Sequence, residues 1–154
     1  FFFLIIAAFF ATSLSAQDGK LLRAADKSFE AGEQDYSKKR WSEAAESLEI
    51  VVENIPSYVD SRKYLTLRFD AHVMLIDIYF NQLNNLPAAC RCLNSFIDDL
   101  NYLKSVPSLK SKDIFKYLEL EKDYAKYKST CDNFENIDSD KKEFEKKFNE
   151  EFEE

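Results

Sequence analysis

The sequence predicts an all-α fold of antiparallel helical repeats, with five to six helices. Three observations predict it. The chain of 154 residues holds only 2 Gly and 3 Pro, whereas a β-sandwich or barrel needs turn signals every ~8–12 residues. Apolar residues recur at spacings of three and four along most of the chain, which is the period of a helix with one buried face. A set of helix-facing residues returns after 45 positions, as happens when each helix pair needs a neighbour to cover its second face. With 45% hydrophobic and 32% charged residues, the chain is apolar enough to fold.

The opening segment belongs to another physical class. Phe1 to Ala16 carries no charge and begins with the apolar run FFFLIIAAFFA. A helix that spans a bilayer needs about 20 such residues, so this run is too short. It fits the apolar region of a secretory signal peptide, with Ser13, Ser15 and Ala16 as small residues before a cleavage point near Gln17. Residues 1–16 are therefore assigned as a signal peptide whose positive leader is missing. The mature chain is expected in the endoplasmic reticulum lumen or secreted, with no membrane span.

The helical repeat domain is assigned to residues 17–131. Its first helix carries Leu21, Leu22, Ala25 and Phe29, with Ala24, Ala31 and Gly32 keeping one side small. The second covers 40–54 through Trp41, Ala44, Ala45, Leu48, Val51 and Val52, and Pro56 stops it. Trp41 is expected to be buried as a wedge between these two helices. The third covers 61–81 through Leu65, Phe69, Val73, Ile76 and Phe80. Asn84 and Asn85 make a turn, and Pro87 enters the first turn of a fourth helix, where its missing N–H costs nothing. That helix runs to about Leu103 through Ala89, Leu93, Phe96 and Leu100. A polar linker with Pro107 follows. Ser111 then caps a fifth helix bearing Ile114, Tyr117, Leu118, Leu120, Tyr124 and Tyr127. Residues 132–154 form a charged C-terminal helix or tail. There Phe144, Phe148 and Phe152 make a narrow stripe, expected to dock as a cap on the open end of the stack.

The repeat is explicit. Trp41 aligns with Leu86, Ala44 with Ala89, Leu48 with Leu93 and Val52 with Ile97. The first unit resembles a tetratricopeptide repeat: Gly32, Trp41, Ala44, Leu48 and Pro56 stand at that motif's small, large, small, large and terminating positions. In the second unit Asp77 and Asn101 replace the small residue and the Pro. The order Tyr36, Trp41, Ala45, Leu48-Glu49, then Tyr79-Phe80, Leu83-Asn84-Asn85-Leu86-Pro87-Ala88-Ala89, then a helix with Tyr124 and Tyr127, resembles the helical repeat domain of the leprecan family. That family comprises collagen prolyl 3-hydroxylases and cartilage-associated protein. The resemblance covers roughly residues 28 to 130. It implies a scaffold that presents a groove to procollagen or to a prolyl hydroxylase in the endoplasmic reticulum. The family's Cys-x-x-x-Cys pairs are missing, since residues 58–74 contain no cysteine. The repeat pattern alone implies a generic secreted adaptor unrelated to collagen.

Composition narrows the chemistry further. A single histidine, His72, excludes a three-histidine zinc site and the two-histidine iron site of an oxygenase. His72 shows no partner constellation in the sequence and is expected to be structural. Gly19 and Gly32 cannot build a phosphate-binding loop. The net charge of −7 argues against nucleic acid as a partner. Asp98 and Asp99 read as a solvated helix face. No catalytic residue, cofactor or metal is assigned. Cys90 and Cys92, two apart on a helix, project to nearly opposite faces and cannot readily bond each other. Either Cys131 pairs with Cys90 or Cys92, or all three are small buried side chains.

Overall fold

The computed structural model describes the backbone of residues 2–106 and 112–152, and the side chains of residues 19–106, 115–139, 141–143 and 146. Helix α1 (Phe2–Ser37) is followed by α2 (Trp41–Asn54), α3 (Arg62–Asp77), a π-helical turn (Ile78–Gln82), α4 (Leu86–Ser105), α5 (Lys112–Asp123) and α6 (Ala125–Phe152). There is no strand among the described residues. Helix α1 packs on α2, α2 on α3, α3 on α4, and α4 on α6, while α5 touches α3, α4 and α6. The short connections make sequence neighbours antiparallel. The architecture is the all-α helical repeat that the sequence predicts. None of the described residues forms a helix long and apolar enough to cross a membrane.

The repeat is visible in the backbone. Helices α2 and α4 start at the aligned residues Trp41 and Leu86. Two residues earlier, Lys39 and Asn84 both adopt left-handed backbone, with φ of 58° and 50°. An Asn tolerates that conformation better than a Lys does. The turn before α4 is further fixed by Asn85, whose side chain accepts a hydrogen bond from the Ala88 N–H at 3.2 Å. Inside the helices, Ala44 and Ala89 are both fully buried, and so are Leu48 and Leu93. Gly32 allows α1 to approach α2 closely. A Cβ placed on it would lie 2.8 Å from Leu48 Cγ and 2.9 Å from Leu48 Cδ2.

Two apolar clusters result. One joins α1, α2, α3 and the start of α4 through Phe29, Leu48, Val51, Ile55, Leu75 and Ala89. The other joins α3, α4, α5 and α6 through Leu65, Phe69, Ile76, Phe96, Leu100 and Tyr117. The Phe69 ring stacks on Tyr117 with centroids 4.8 Å apart and meets Phe96 edge-on at 5.7 Å. Cys90 on α4 is bonded to Cys131 on α6, so a covalent link ties the last helix to the stack.

Several expectations are corrected. Trp41 is only half-buried. As the first residue of α2 it meets Tyr36 of α1 edge-on at 5.2 Å and packs on the rim of the first cluster, so it is a partly exposed contact between the two helices and not a buried wedge. Leu21 is exposed, as are Ala24 and Ala31. The third helix ends in a π-helical turn, and the hydrogen bond that closes the following turn spans one residue more than in the first unit, from Asn85 N to Tyr79 O against Arg40 N to Asp35 O. Tyr124 breaks the expected fifth helix, so Tyr127 and Cys131 belong to α6, which runs through residue 132 without interruption. Pro107 and the Ser111 cap lie outside the described residues. So do the side chains of residues 1–18, including the signal-like block, and those of Phe144, Phe148 and Phe152.

Candidate binding cavity and its buried polar row

The sequence places four polar side chains on two facing helices. Arg68 and His72 are four apart on α3, and Cys92 and Asp99 are seven apart on α4, so each pair shares a helix face. The structure turns those faces toward each other. Asp99, only 3% exposed, accepts from Arg68 Nε at 2.6 Å and from Arg68 Nη2 at 3.3 Å. The same guanidinium donates through Nη1 to the backbone carbonyls of Val52 and, at 2.5 Å, Ile55. These carbonyls end α2 and have no partner within that helix.

His72, 1% exposed, completes the row. Its Nε2 lies 3.0 Å from Asp99 Oδ2, and its Nδ1 lies 3.5 Å from Cys92 Sγ. A carboxylate at Nε2 requires the N–H on that nitrogen, which leaves the Nδ1 lone pair facing the thiol. The Cys92 thiol also lies 3.7 Å from the His72 carbonyl oxygen. No buried side-chain nitrogen or oxygen among the described residues lacks a partner.

Burial and neighbours set the charges. Burial would raise the Asp99 carboxyl, but hydrogen bonds from His72 and Arg68 hold it below the usual carboxylate range. Burial pushes the His72 imidazole below its ordinary value despite Asp99, and Arg68 adds to that effect. Burial pushes the Cys92 thiol up, and the Glu49 carboxylate pushes it in the same direction. At neutral pH the row therefore holds an ionised Arg68–Asp99 pair, a neutral imidazole and a protonated thiol.

The row faces a cavity of about 340 Å³ between α2, α3 and α4, whose lining includes His72, Leu75, Ala88 and Cys92. Glu49 and Glu53 stand on its α2 side, and Arg91 and Ser95 on its α4 side. Glu49 accepts a hydrogen bond from the Tyr79 hydroxyl at 2.6 Å. Burial first, then Glu49, drives that phenol above its ordinary range. A similar pair closes the other side of the π-turn: the Tyr36 hydroxyl donates to Asp77 Oδ2 at 2.6 Å. Burial and Asp77 push Tyr36 up to about 12.

Of the repeat positions, Gly32, Ala44 and Leu48 pack α1 on α2, Tyr36 and Trp41 meet at the first turn, and Pro56 follows α2. Ala89 and Leu93 lie in the core and Leu86 is half-buried. Tyr79 alone among them lines the cavity. Cys131 pairs with Cys90, leaving Cys92 as the free thiol. Sequence reasoning missed Arg68 and took Asp99 for a solvated residue; Asp98 is exposed, whereas Asp99 points inward. His72 does have a partner constellation. The spacing of four on α3 and seven on α4 was the available signal. Among the described residues, no group of three or more His, Cys, Asp or Glu could hold a metal ion. Comparison of the chain with protein-family models, curated proteins and solved structures gives no match.

Proposed function

We propose that this chain is a non-catalytic helical-repeat binding protein of the secretory pathway. Its cavity between α2, α3 and α4 receives a short polar segment of a partner protein. One observation carries the reading: the cavity opens where the two repeat units meet, with carboxylates on one helix and a guanidinium on the other. A rim of both signs selects a polar segment by charge placement, and the rigid stack behind it lowers the ordering cost of binding. The Cys90–Cys131 bond and the signal-like Phe1–Ala16 block support an oxidising compartment. The protonated thiol supports binding over hydrolytic chemistry, because the thiolate is the nucleophile. The leprecan resemblance supplies the partner class, procollagen or a prolyl hydroxylase; without it the chain is a generic secreted adaptor.

The test immobilises the protein and offers procollagen chains and a prolyl hydroxylase at micromolar concentration. Retention of either, lost in Glu53→Lys and Arg91→Glu, is the expected result. Both positions are exposed, so the variants keep their cores. Failure to retain either partner ends the collagen reading. Equal retention by both variants removes the cavity from it. Succinate release from 2-oxoglutarate by the protein with iron, ascorbate and a Pro-rich peptide would overturn the non-catalytic reading.

A further inference from the structure

Three charges that line the cavity have no ionic partner. Glu49 and Glu53 stand four apart on α2, so their carboxylates share one side of the cavity and repel each other. Arg91 stands on the α4 side. Among the described residues none of the three forms an ion pair. The other polar groups of the site are settled. Arg68 and Asp99 neutralise each other in the buried row, and His72 and Cys92 are uncharged at neutral pH. The remaining walls are apolar: Leu75 and Ala88 are buried, and Val52 is half-buried. Glu49 is also held in place. The buried Tyr79 donates its hydroxyl to Glu49 Oε1 at 2.6 Å, and the carboxylate keeps acceptor capacity for a ligand.

We propose that this cavity recognises a basic side chain, Lys or Arg, in an extended partner segment that carries an acidic side chain two positions away. The cationic head sits between Glu49 and Glu53, and the aliphatic stem lies along Val52, Leu75 and Ala88. The acid pairs with Arg91. In extended backbone, residues two apart point to the same face, so both charges enter from one side of the segment.

The alternatives fit less well. A purely acidic segment meets two carboxylates, a purely basic one is repelled by Arg91, and an uncharged one leaves all three charges unpaired. Size also restricts the occupant. The cavity holds about 340 Å³, at the small end of ligand pockets, which admits a long side chain but not a helix. This specificity rests on the cavity being the binding site proposed above, and it adds which pattern of residues that site reads.

The experiment titrates the full chain, with the Cys90–Cys131 bond intact, with three end-blocked pentapeptides at low salt, where rim charges are least screened. The first is Glu-Ser-Lys-Ser-Glu, which has an acid two positions from the Lys on either side. The second carries norleucine in place of the Lys, and the third carries Gln in place of both acids. Backbone amide shifts of Glu49, Glu53, Arg91 and Ser95 report occupancy. The expected result is saturation by the first peptide, with an affinity on the order of tenfold above that of either other peptide, the small end of what a charge-assisted hydrogen bond contributes. Glu53→Gln should remove the preference for Lys over norleucine and keep that for Glu over Gln, and Arg91→Gln should do the reverse. Both positions are exposed, so the variants keep their cores. Absence of saturable shifts at these amides, or equal affinities for the three peptides, would overturn the proposal. The peptide series on the unaltered protein decides this without the variants. Retention of procollagen or hydroxylase that still depends on Glu53 and Arg91, beside peptide affinities indifferent to charge, overturns this specificity and leaves the binding reading standing.

Discussion

Gly32 gives a sharp test of the way α1 meets α2. A methyl group at this position would lie 2.8 Å from Leu48 Cγ and 2.9 Å from Leu48 Cδ2, with the Ala44 carbonyl at 3.5 Å. The first two distances are well inside van der Waals contact. Two effects compete in Gly32→Ala. Replacing Gly within a helix stabilises by roughly 0.5–1 kcal/mol through lost backbone freedom in the unfolded chain. Forcing a methyl into a packed core costs about 1–3 kcal/mol. Leu48 is fully buried and held by the surrounding cluster, so it cannot swing clear, and the clash should win by about 1–2 kcal/mol. In a Leu48→Ala background the clash is gone. There the same substitution should stabilise by up to about 1 kcal/mol, although Leu48→Ala alone costs about 2–5 kcal/mol. The sign reversal corresponds to a coupling of roughly 1.5–3 kcal/mol, readable from the four denaturation midpoints of a double-mutant cycle. Gly32→Ala stabilising both backgrounds equally would mean that the helices do not approach this closely.

Four further outcomes are expected. Cys131→Ser opens a link between residues 41 apart and should lower stability by about 4 kcal/mol on the chain-entropy account; equal midpoints with and without reductant would refute the bond. Arg68→Met leaves the buried Asp99 short of its main partner and frees two α2 carbonyls, so a loss of about 3–5 kcal/mol is expected and an unchanged melt would show the pair to be dispensable. Cys92→Ala removes a half-buried sulfur that packs against both apolar clusters from their edge and should cost about 1 kcal/mol; a loss matching Arg68→Met would make the thiol as structural as the buried ion pair. Stability should fall on acidification: the neutral folded His72 resists the proton that the unfolded chain accepts below 6.5, and the Asp99 carboxylate, depressed in the fold, adds a second loss below the ordinary carboxylate range near 3.8. Melting temperature against pH reads this directly, and His72→Gln should flatten the upper limb.

The fold was legible because its signals are local. Helical periods, the Pro56 stop and the Asn84-Asn85 turn each act within a few residues, and the return of Ala and Leu after 45 positions survives in the core at Ala89 and Leu93. The alignment failed just before the second turn. There the backbone closes from Asn85 N to Tyr79 O, against Arg40 N to Asp35 O in the first unit, so the π-turn has absorbed one extra residue. Counting by 45 from Gly32 reaches Asp77, whereas the structurally matching shift of 44 reaches Ile76, which is buried. A π-helical insertion leaves no mark on apolar periodicity, and such insertions are frequent at functional sites. Trp41 was misplaced for another reason. Its spacing is correct, but burial at a helix terminus depends on what covers the end of the stack. The polar row was half-legible. Its spacing was on view, but which of Asp98 and Asp99 points inward is decided by the rotation of α4 against α3, and that is a tertiary quantity.

The buried row follows from a backbone requirement. Helix α2 ends inside the protein, so the carbonyls of Val52 and Ile55 need donors there. Arg68 supplies them, and a guanidinium this deep needs a counter-charge, which is Asp99. Asp99 has oxygen capacity left over after Arg68, and His72 Nε2 fills it. That choice fixes the tautomer and turns the Nδ1 lone pair toward α4. Up to this point every group is explained by satisfaction of polar atoms, and the fold would keep them for that reason alone. The Cys92 position is different. A lone pair facing a half-open cavity is satisfied by water as well as by a thiol, so structure does not require sulfur there. The scaffold thus places the sulfur against a pre-oriented base at no further cost in buried polar groups, while burial, and after it the Glu49 carboxylate, keeps it protonated. Stability accounts for the base, and the cavity with its charged rim decides what can reach the sulfur.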